Sequence, residues 1–161
     1  MSFDPNHPVE VHVCYGHENA HHHPHWLLSL RSPNATKCTW IHSTGGPSQN
    51  KNYECSIQAN KSAESRGIAS TSFQGNISPQ DVNKVIAAAK RIEPQQCQMY
   101  VVAVVAELEK KGLLPEGRTA FLKDQVQISE KARDYRREHP VSKPAIAYTQ
   151  SDRDDFYGRR T

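Results

Sequence analysis

One cysteine and two histidines have the residue types and the spacing of a thiol active site. Cys97 stands at the start of a predicted helix, where unpaired backbone N–H groups and the helix dipole stabilise a thiolate. Such a position lowers the pKa of a thiol, and the thiolate is the reactive form. Because free cysteine is among the most buried residue types, an inert core position is the alternative for Cys97.

Two histidines on predicted strands would serve such a thiol. His25 begins one strand, and its ring can take the thiol proton and later protonate a leaving group. His42 lies near the end of the next strand, where its ring can orient that of His25. The alternative for each is a half-buried structural histidine. A slip of one residue in strand register would turn either ring away from Cys97.

Alternation of apolar and polar residues predicts the strands that carry these histidines. Four segments have strand patterns, and a weaker strand is predicted near residues 68–73; the four lie at residues 9–15, 25–31, 37–43 and 52–60. Asn34 and the Gly45-Gly46-Pro47 sequence mark turns between them. These short strands with tight turns predict an antiparallel sheet of four or five strands.

Helical periodicity replaces this alternation after residue 78. Ser78 and Pro79 predict the start of an amphipathic helix that reaches about Ile92. Residues 97–111 are apolar on every side, which predicts a helix surrounded by protein, and residues 119–138 predict a third, highly charged helix. Strands first and about three helices afterwards indicate the α+β class.

Composition limits the domain organisation and the partners. The 161 residues suit one domain, for which we expect residues 1–138, followed by a polar C-terminal tail over residues 139–161. A formal net charge of +3 without a clustered basic stripe argues against nucleic acid as a partner. No apolar run is long enough for a membrane anchor, and no signal peptide is visible, so a cytoplasmic location is the expectation.

A histidine cluster at residues 21–25 offers a metal site as a rival interpretation. Imidazoles at this density bind transition metals, but the sequence has no helical His-Glu-x-x-His motif and no Cys-x-x-Cys pair. We therefore predict no cofactor and no metal site, and interpret the cluster as a loop beside the thiol site. Trp26 and Trp40 are candidates to line a substrate groove, with a place in the core as the alternative.

Three short motifs resemble those of a known group of proteins. They are His25-Trp26-Leu27-Leu28-Ser29-Leu30, then Trp40-Ile41-His42, then Gln96-Cys97-Gln98-Met99-Tyr100-Val101. Together they resemble the permuted NlpC/P60 group of papain-like folds, which includes the lecithin:retinol acyltransferase-like proteins and the PPPDE isopeptidases. The likeness spans roughly residues 9–114.

The resemblance implies a permuted papain-like fold and a role for each matched residue. It implies Cys97 as the nucleophile, His25 as the general base and acid, and His42 as the orienting residue. The backbone N–H of Cys97 would contribute to an oxyanion hole, with Gln95 or Gln96 adding a side-chain donor.

Two functions from different classes follow. The first is a cysteine-dependent hydrolase or acyltransferase that forms a thioacyl-enzyme intermediate on an acyl- or peptide-type substrate. The alternative is a non-catalytic papain-like module that binds a protein partner. The reactivity of Cys97 relative to the other three cysteines separates them.

Overall fold

The structure, a computed structural model, describes residues 3–18, 23–127, 134–135 and 137–140. Within these residues five strands are followed by three α-helices, which confirms the predicted α+β class. The strands are β1 (Val9–Gly16), β2 (Trp26–Arg31), β3 (Lys37–Gly46), β4 (Lys51–Ser62) and β5 (Ile68–Ile77). The helices are α1 (Val82–Arg91), α2 (Cys97–Lys110) and α3 (Arg118–Lys123).

The five strands form one antiparallel sheet in the order β4-β3-β2-β1-β5. One face, here called the helix face, packs against α1 and α2 through fully buried side chains such as Val11, Val13, Leu28 and Ile41. In a strand the side chains alternate between faces, so Trp40 and His42 lie on the opposite, outer face. The alternation visible in the sequence therefore sorts the side chains of β1 and β3 between the two faces.

Helix α2 lies inside the domain, as its uniform apolarity predicts. All residues from Gln98 to Ala106 are buried, between the sheet on one side and α1 and α3 on the other. Burying each valine stabilises the fold by about 1.5–3 kcal/mol, which exceeds the small helix penalty of a β-branched side chain. Although α2 is apolar, no helix in the described ranges is both long and apolar enough to cross a bilayer.

The prediction of a third helix over residues 119–138 is wrong in its extent. Helix α3 ends at Lys123 and residues 124–127 are not helical, whereas residues 134–135 and 137–138 are helical again. Val126 is buried in the core, and the N–H of Gln127 donates to Gln98 Oε1 at 2.5 Å. Because these tertiary contacts fix Val126 and Gln127, the backbone there does not continue the helix. Residues 128–133, and the predicted tail beyond Pro140, lie outside the described residues.

Candidate active site

Cys97 is the first residue of α2, and its thiol faces several hydrogen-bond donors. The side chain of Gln96 caps the helix, because its Oε1 accepts from the N–H groups of Gln98 at 2.9 Å and Met99 at 3.1 Å. The same amide directs its Nε2 at Cys97 Sγ, 3.6 Å away. The backbone of Trp26, on β2, lies close enough to the thiol to lower its pKa. Cys97 is therefore half-buried between a helix start and a strand start.

Burial raises the pKa of the Cys97 thiol above its ordinary value. The backbone hydrogen bonds from Trp26, Gln98 and Cys97 itself lower it, but they do not offset the loss of hydration. The sequence-based expectation was a lowered pKa at a helix N-terminus. It is wrong because the dipole and the N–H groups act on a thiol that the fold has also desolvated. The resting thiol is therefore protonated at neutral pH.

The two histidines form a hydrogen-bonded chain that ends on a glutamine of β4. His25 Nε2 lies 2.7 Å from His42 Nδ1, and His42 Nε2 lies 3.2 Å from Gln58 Oε1. Because an amide oxygen can only accept, His42 carries its proton on Nε2, so its Nδ1 accepts the proton of His25 Nε2. This assignment leaves the lone pair of His25 on Nδ1, which has no hydrogen bond within the described residues.

Both imidazoles are held in the neutral form. Loss of hydration, with a smaller contribution from the neighbouring His42 ring, lowers the pKa of His25 to about 4, although part of His25 remains exposed. Burial lowers the pKa of His42 as well. The hydrogen bond that His42 Nε2 donates to Gln58 Oε1 raises its pKa, and the charge of Lys61 adds to the lowering. At neutral pH the pair therefore holds no positive charge.

The imidazoles and the start of α2 lie on opposite faces of the sheet, near the end of the ladder between β2 and β3. His42 lies on the outer face with Gln58, whereas α2 and Cys97 approach from the helix face. The ladder between β2 and β3 covers only three residue pairs and stops at Leu28, so the backbone of Trp26 lies outside it. Among the described residues no hydrogen bond joins Cys97 Sγ to either imidazole.

Gln98 fixes the start of β2 against the start of α2. Its side chain is fully buried, and its Nε2 donates to the carbonyl of Pro24 at 2.9 Å. Cys97 contacts the backbone of Trp26, so the first turn of α2 binds the chain on both sides of His25. The carbonyl of His25 in turn accepts from the N–H of Gly16 at 2.7 Å. The position of the His25 backbone is therefore set by two hydrogen bonds and by the contact of Trp26 with Cys97.

The remaining predicted site residues have different surroundings. Gln95 is buried, its carbonyl accepts from Ser43 Oγ at 2.5 Å, and its side-chain Nε2 donates to the carbonyl of Glu93 at 3.3 Å. Trp26 is only 2% exposed and belongs to the core on the helix face. Trp40 is half-buried on the outer face and lies near His42, with their ring centroids 6.2 Å apart. Gln96 alone among the two glutamines directs an amide donor at the thiol.

Three residues near the histidines and Cys97 were not predicted from the sequence: Gln58, Gln98 and Lys61. Gln58 contacts His42 because β4 pairs with β3 in a particular register, which alternation within β4 does not reveal. Gln98 follows Cys97 directly, but only the packing of α2 on β2 gives its amide a partner. Of the predicted histidine cluster, His21 and His22 lie outside the described residues.

Comparison of the chain with protein-family models, with curated proteins and with solved structures gives no match. The likeness to the permuted NlpC/P60 group rests on the three motifs and on nothing beyond them.

Proposed function

We propose that this chain is a cysteine-dependent hydrolase or acyltransferase that acts on an amide, ester or thioester carbonyl. The observation that carries the proposal is the attachment of the first turn of α2 to both sides of His25. Gln98 binds the carbonyl before it and Cys97 contacts the backbone after it. A nucleophile and a base fixed in this way avoid the entropic cost of being brought together for each turnover.

The proposed reaction begins with both partners uncharged. His25 Nδ1, whose other nitrogen donates to His42, takes the proton of Cys97 while the sulfur attacks the substrate carbonyl carbon. The imidazolium then gives this proton to the leaving group as the old acyl bond breaks, which leaves a thioester on Cys97. Water, or an amine or alcohol in a transferase, attacks the thioester and loses its proton to Nδ1. That proton returns to the sulfur as the C–S bond breaks.

Hydrogen-bond donors beside the thiol suit the developing oxyanion. The N–H of Cys97 lies at the start of a helix, where the first backbone donors have no helical partner. The side-chain amide of Gln96 is 3.6 Å from the sulfur, on the same side of the helix start. Fixed donors of this kind commonly contribute about 3–4 kcal/mol to acyl-transfer transition states. Gln96 is therefore the side-chain donor we assign, and Gln95 holds the preceding loop through Ser43.

The proposal is tested by the rate at which iodoacetamide alkylates each cysteine between pH 5 and 10, read by peptide mass spectrometry. Cys55 is the matched reference thiol, because it is also half-buried. We expect Cys97 to react faster than Cys55 at pH 7, and His25→Ala to slow it by at least about tenfold through loss of the base. His23→Ala, at an exposed histidine two residues earlier, should leave the rate unchanged.

The raised pKa of Cys97 favours a second candidate, the non-catalytic module that binds a protein partner. In that case burial alone governs the thiol, and the histidine chain stabilises the sheet. Cys97 would then react no faster than Cys55, and His25→Ala would leave its rate unchanged. This pair of results would refute the catalytic proposal.

A further inference from the structure

A row of side chains on the outer face leads from the histidine pair to a lysine. The ring centroids of His25 and His42 are 5.0 Å apart, and Trp40 follows at 6.2 Å from His42. Lys61 Nζ lies over the Trp40 ring, 4.6 Å from its centroid. We call these four residues, His25, His42, Trp40 and Lys61, the outer strip. It runs from β4 across β3 to the residue that precedes β2.

Lys61 supplies the charge of this strip. Within the described residues its ammonium group has no ion pair with a carboxylate, and its contact is the face of Trp40. Both imidazoles are neutral at neutral pH, so the charge is not part of a larger cationic cluster on the strip. The field of Lys61 reaches His42, where it disfavours a second positive charge. An unpaired cation on an aromatic face beside a proposed acyl site is a place for an anion.

We propose that Lys61 and Trp40 bind the anionic end of the substrate, so that the enzyme acts on acyl compounds that carry a carboxylate. The inference rests on the proposed function and names its substrate class. The ammonium group binds the carboxylate, the indole contacts the apolar part of the acyl chain, and the carbonyl lies at the end near His25. Steps of 4.6, 6.2 and 5.0 Å lead from the lysine to the His25 ring, and their total is an upper limit on the distance between the two ends of the bound acyl compound.

Quenching of tryptophan fluorescence tests the strip without the thiol. The chain has two tryptophans, and Trp26 is only 2% exposed, so an aqueous quencher reports on Trp40. We expect Lys61→Gln to lower the quenching constant of iodide about twofold, because the anion no longer gathers near the ring, and to leave that of neutral acrylamide unchanged. Lys51→Gln, at an exposed lysine elsewhere on β4, is the control and should change neither.

Alkylation of Cys97 by an anionic and a neutral reagent tests the link between Lys61 and the proposed active site. Iodoacetate carries a carboxylate, and iodoacetamide is its neutral analogue. We expect Lys61→Gln to lower the ratio of the iodoacetate rate to the iodoacetamide rate about two- to threefold, with no change in Lys51→Gln. A ratio, or an iodide quenching constant, that is the same in wild type and Lys61→Gln overturns this inference alone. If both reagents modify Cys97 no faster than Cys55, the proposed function fails and this inference fails with it.

Discussion

Gln98→Met is the substitution that most directly tests how the site is held together. Gln98 is fully buried, and its amide joins two segments that are far apart in sequence. Its Nε2 donates to the carbonyl of Pro24 at 2.9 Å, and its Oε1 accepts from the N–H of Gln127 at 2.5 Å. Methionine has a similar volume and no hydrogen-bonding amide, so the change removes both bonds with little change in packing.

The expected loss of stability in Gln98→Met follows from the two backbone groups that lose their hydrogen-bond partner. Leaving a buried backbone donor or acceptor unpaired costs about 1–3 kcal/mol. Pro24 and Gln127 are half-buried, so water reaches them in part, and the lower half of that range applies to each. We therefore expect a loss of about 2–4 kcal/mol in the free energy of unfolding, out of the roughly 5–15 kcal/mol of a typical domain.

Urea unfolding followed by circular dichroism measures this loss. The midpoint should fall by about 1–2 M with an unchanged slope, since the slope depends on the surface exposed on unfolding. Gln49→Met, at an exposed glutamine, is the control and should stay within about 0.5 kcal/mol of wild type. A Gln98→Met variant that matches this control would refute the reasoning, because the two hydrogen bonds would then contribute nothing.

Gln98→Glu separates the two hydrogen bonds within the same experiment. The carboxylate can still accept from the N–H of Gln127, but it cannot donate to the carbonyl of Pro24 and is buried without a cation. Burial raises the pKa of such a carboxyl in the folded state, so folding takes up a proton and stability increases as the pH falls. The variant should be less stable than Gln98→Met at pH 8 and regain stability near pH 5. Equal stability at both pH values would contradict the assignment.

Two further predictions concern the histidines and the core. The pKa of His25 is about 4 in the folded protein and 6.5 unfolded, so the unfolded chain binds more protons between these values and stability falls as the pH decreases from 6.5 to 4. The full shift in pKa corresponds to about 3 kcal/mol of stability, which the exposure of His25 reduces to about 1 kcal/mol. Urea midpoints measured at pH 7 and 4.5 should show that the stability of His25→Gln depends less on pH than that of wild type. Tyr100→Phe removes a buried hydroxyl that contacts the carbonyl of Ala89 at 2.6 Å and Cys55 Sγ at 3.2 Å, and should cost about 1–2 kcal/mol. A change in its urea midpoint no larger than that of a surface substitution would contradict this.

Local patterns predicted most of the secondary structure, because the buried side chains of each strand or helix recur at a regular spacing in its sequence. The strand over residues 9–15 was visible from strict alternation, and it is β1 (Val9–Gly16) in the structure. The start of α2 at Cys97 was visible from the apolar run that follows and from the polar residues before it. Helix α3 was predicted too long, since its end depends on a contact between Gln127 and Gln98 that no local pattern contains.

The sequence predicted Cys97 at a helix start and His25 near His42, but it did not predict the electrostatics of the thiol. A helix start suggested a thiolate at Cys97, whereas the fold desolvates the thiol and raises its pKa. The pairing of His25 with His42 agrees with the expectation that the two rings approach each other on neighbouring strands. Whether the pair acts on Cys97 stays a prediction, which the alkylation experiment decides.

The sequence by itself determined which residue types are available and on which element each one stands. It indicated a cysteine at a helix start, two histidines on strands, and an α+β order of elements. Their partners and their charge depend on the tertiary structure, because strand register, the end of the β2–β3 ladder and the depth of burial arise from contacts between distant segments. Gln58 on His42, Gln98 on Pro24 and Lys61 on Trp40 are such contacts. Hydration and hydrogen bonding at an atom depend on all its neighbours in space, and a sequence pattern describes only its neighbours along the chain.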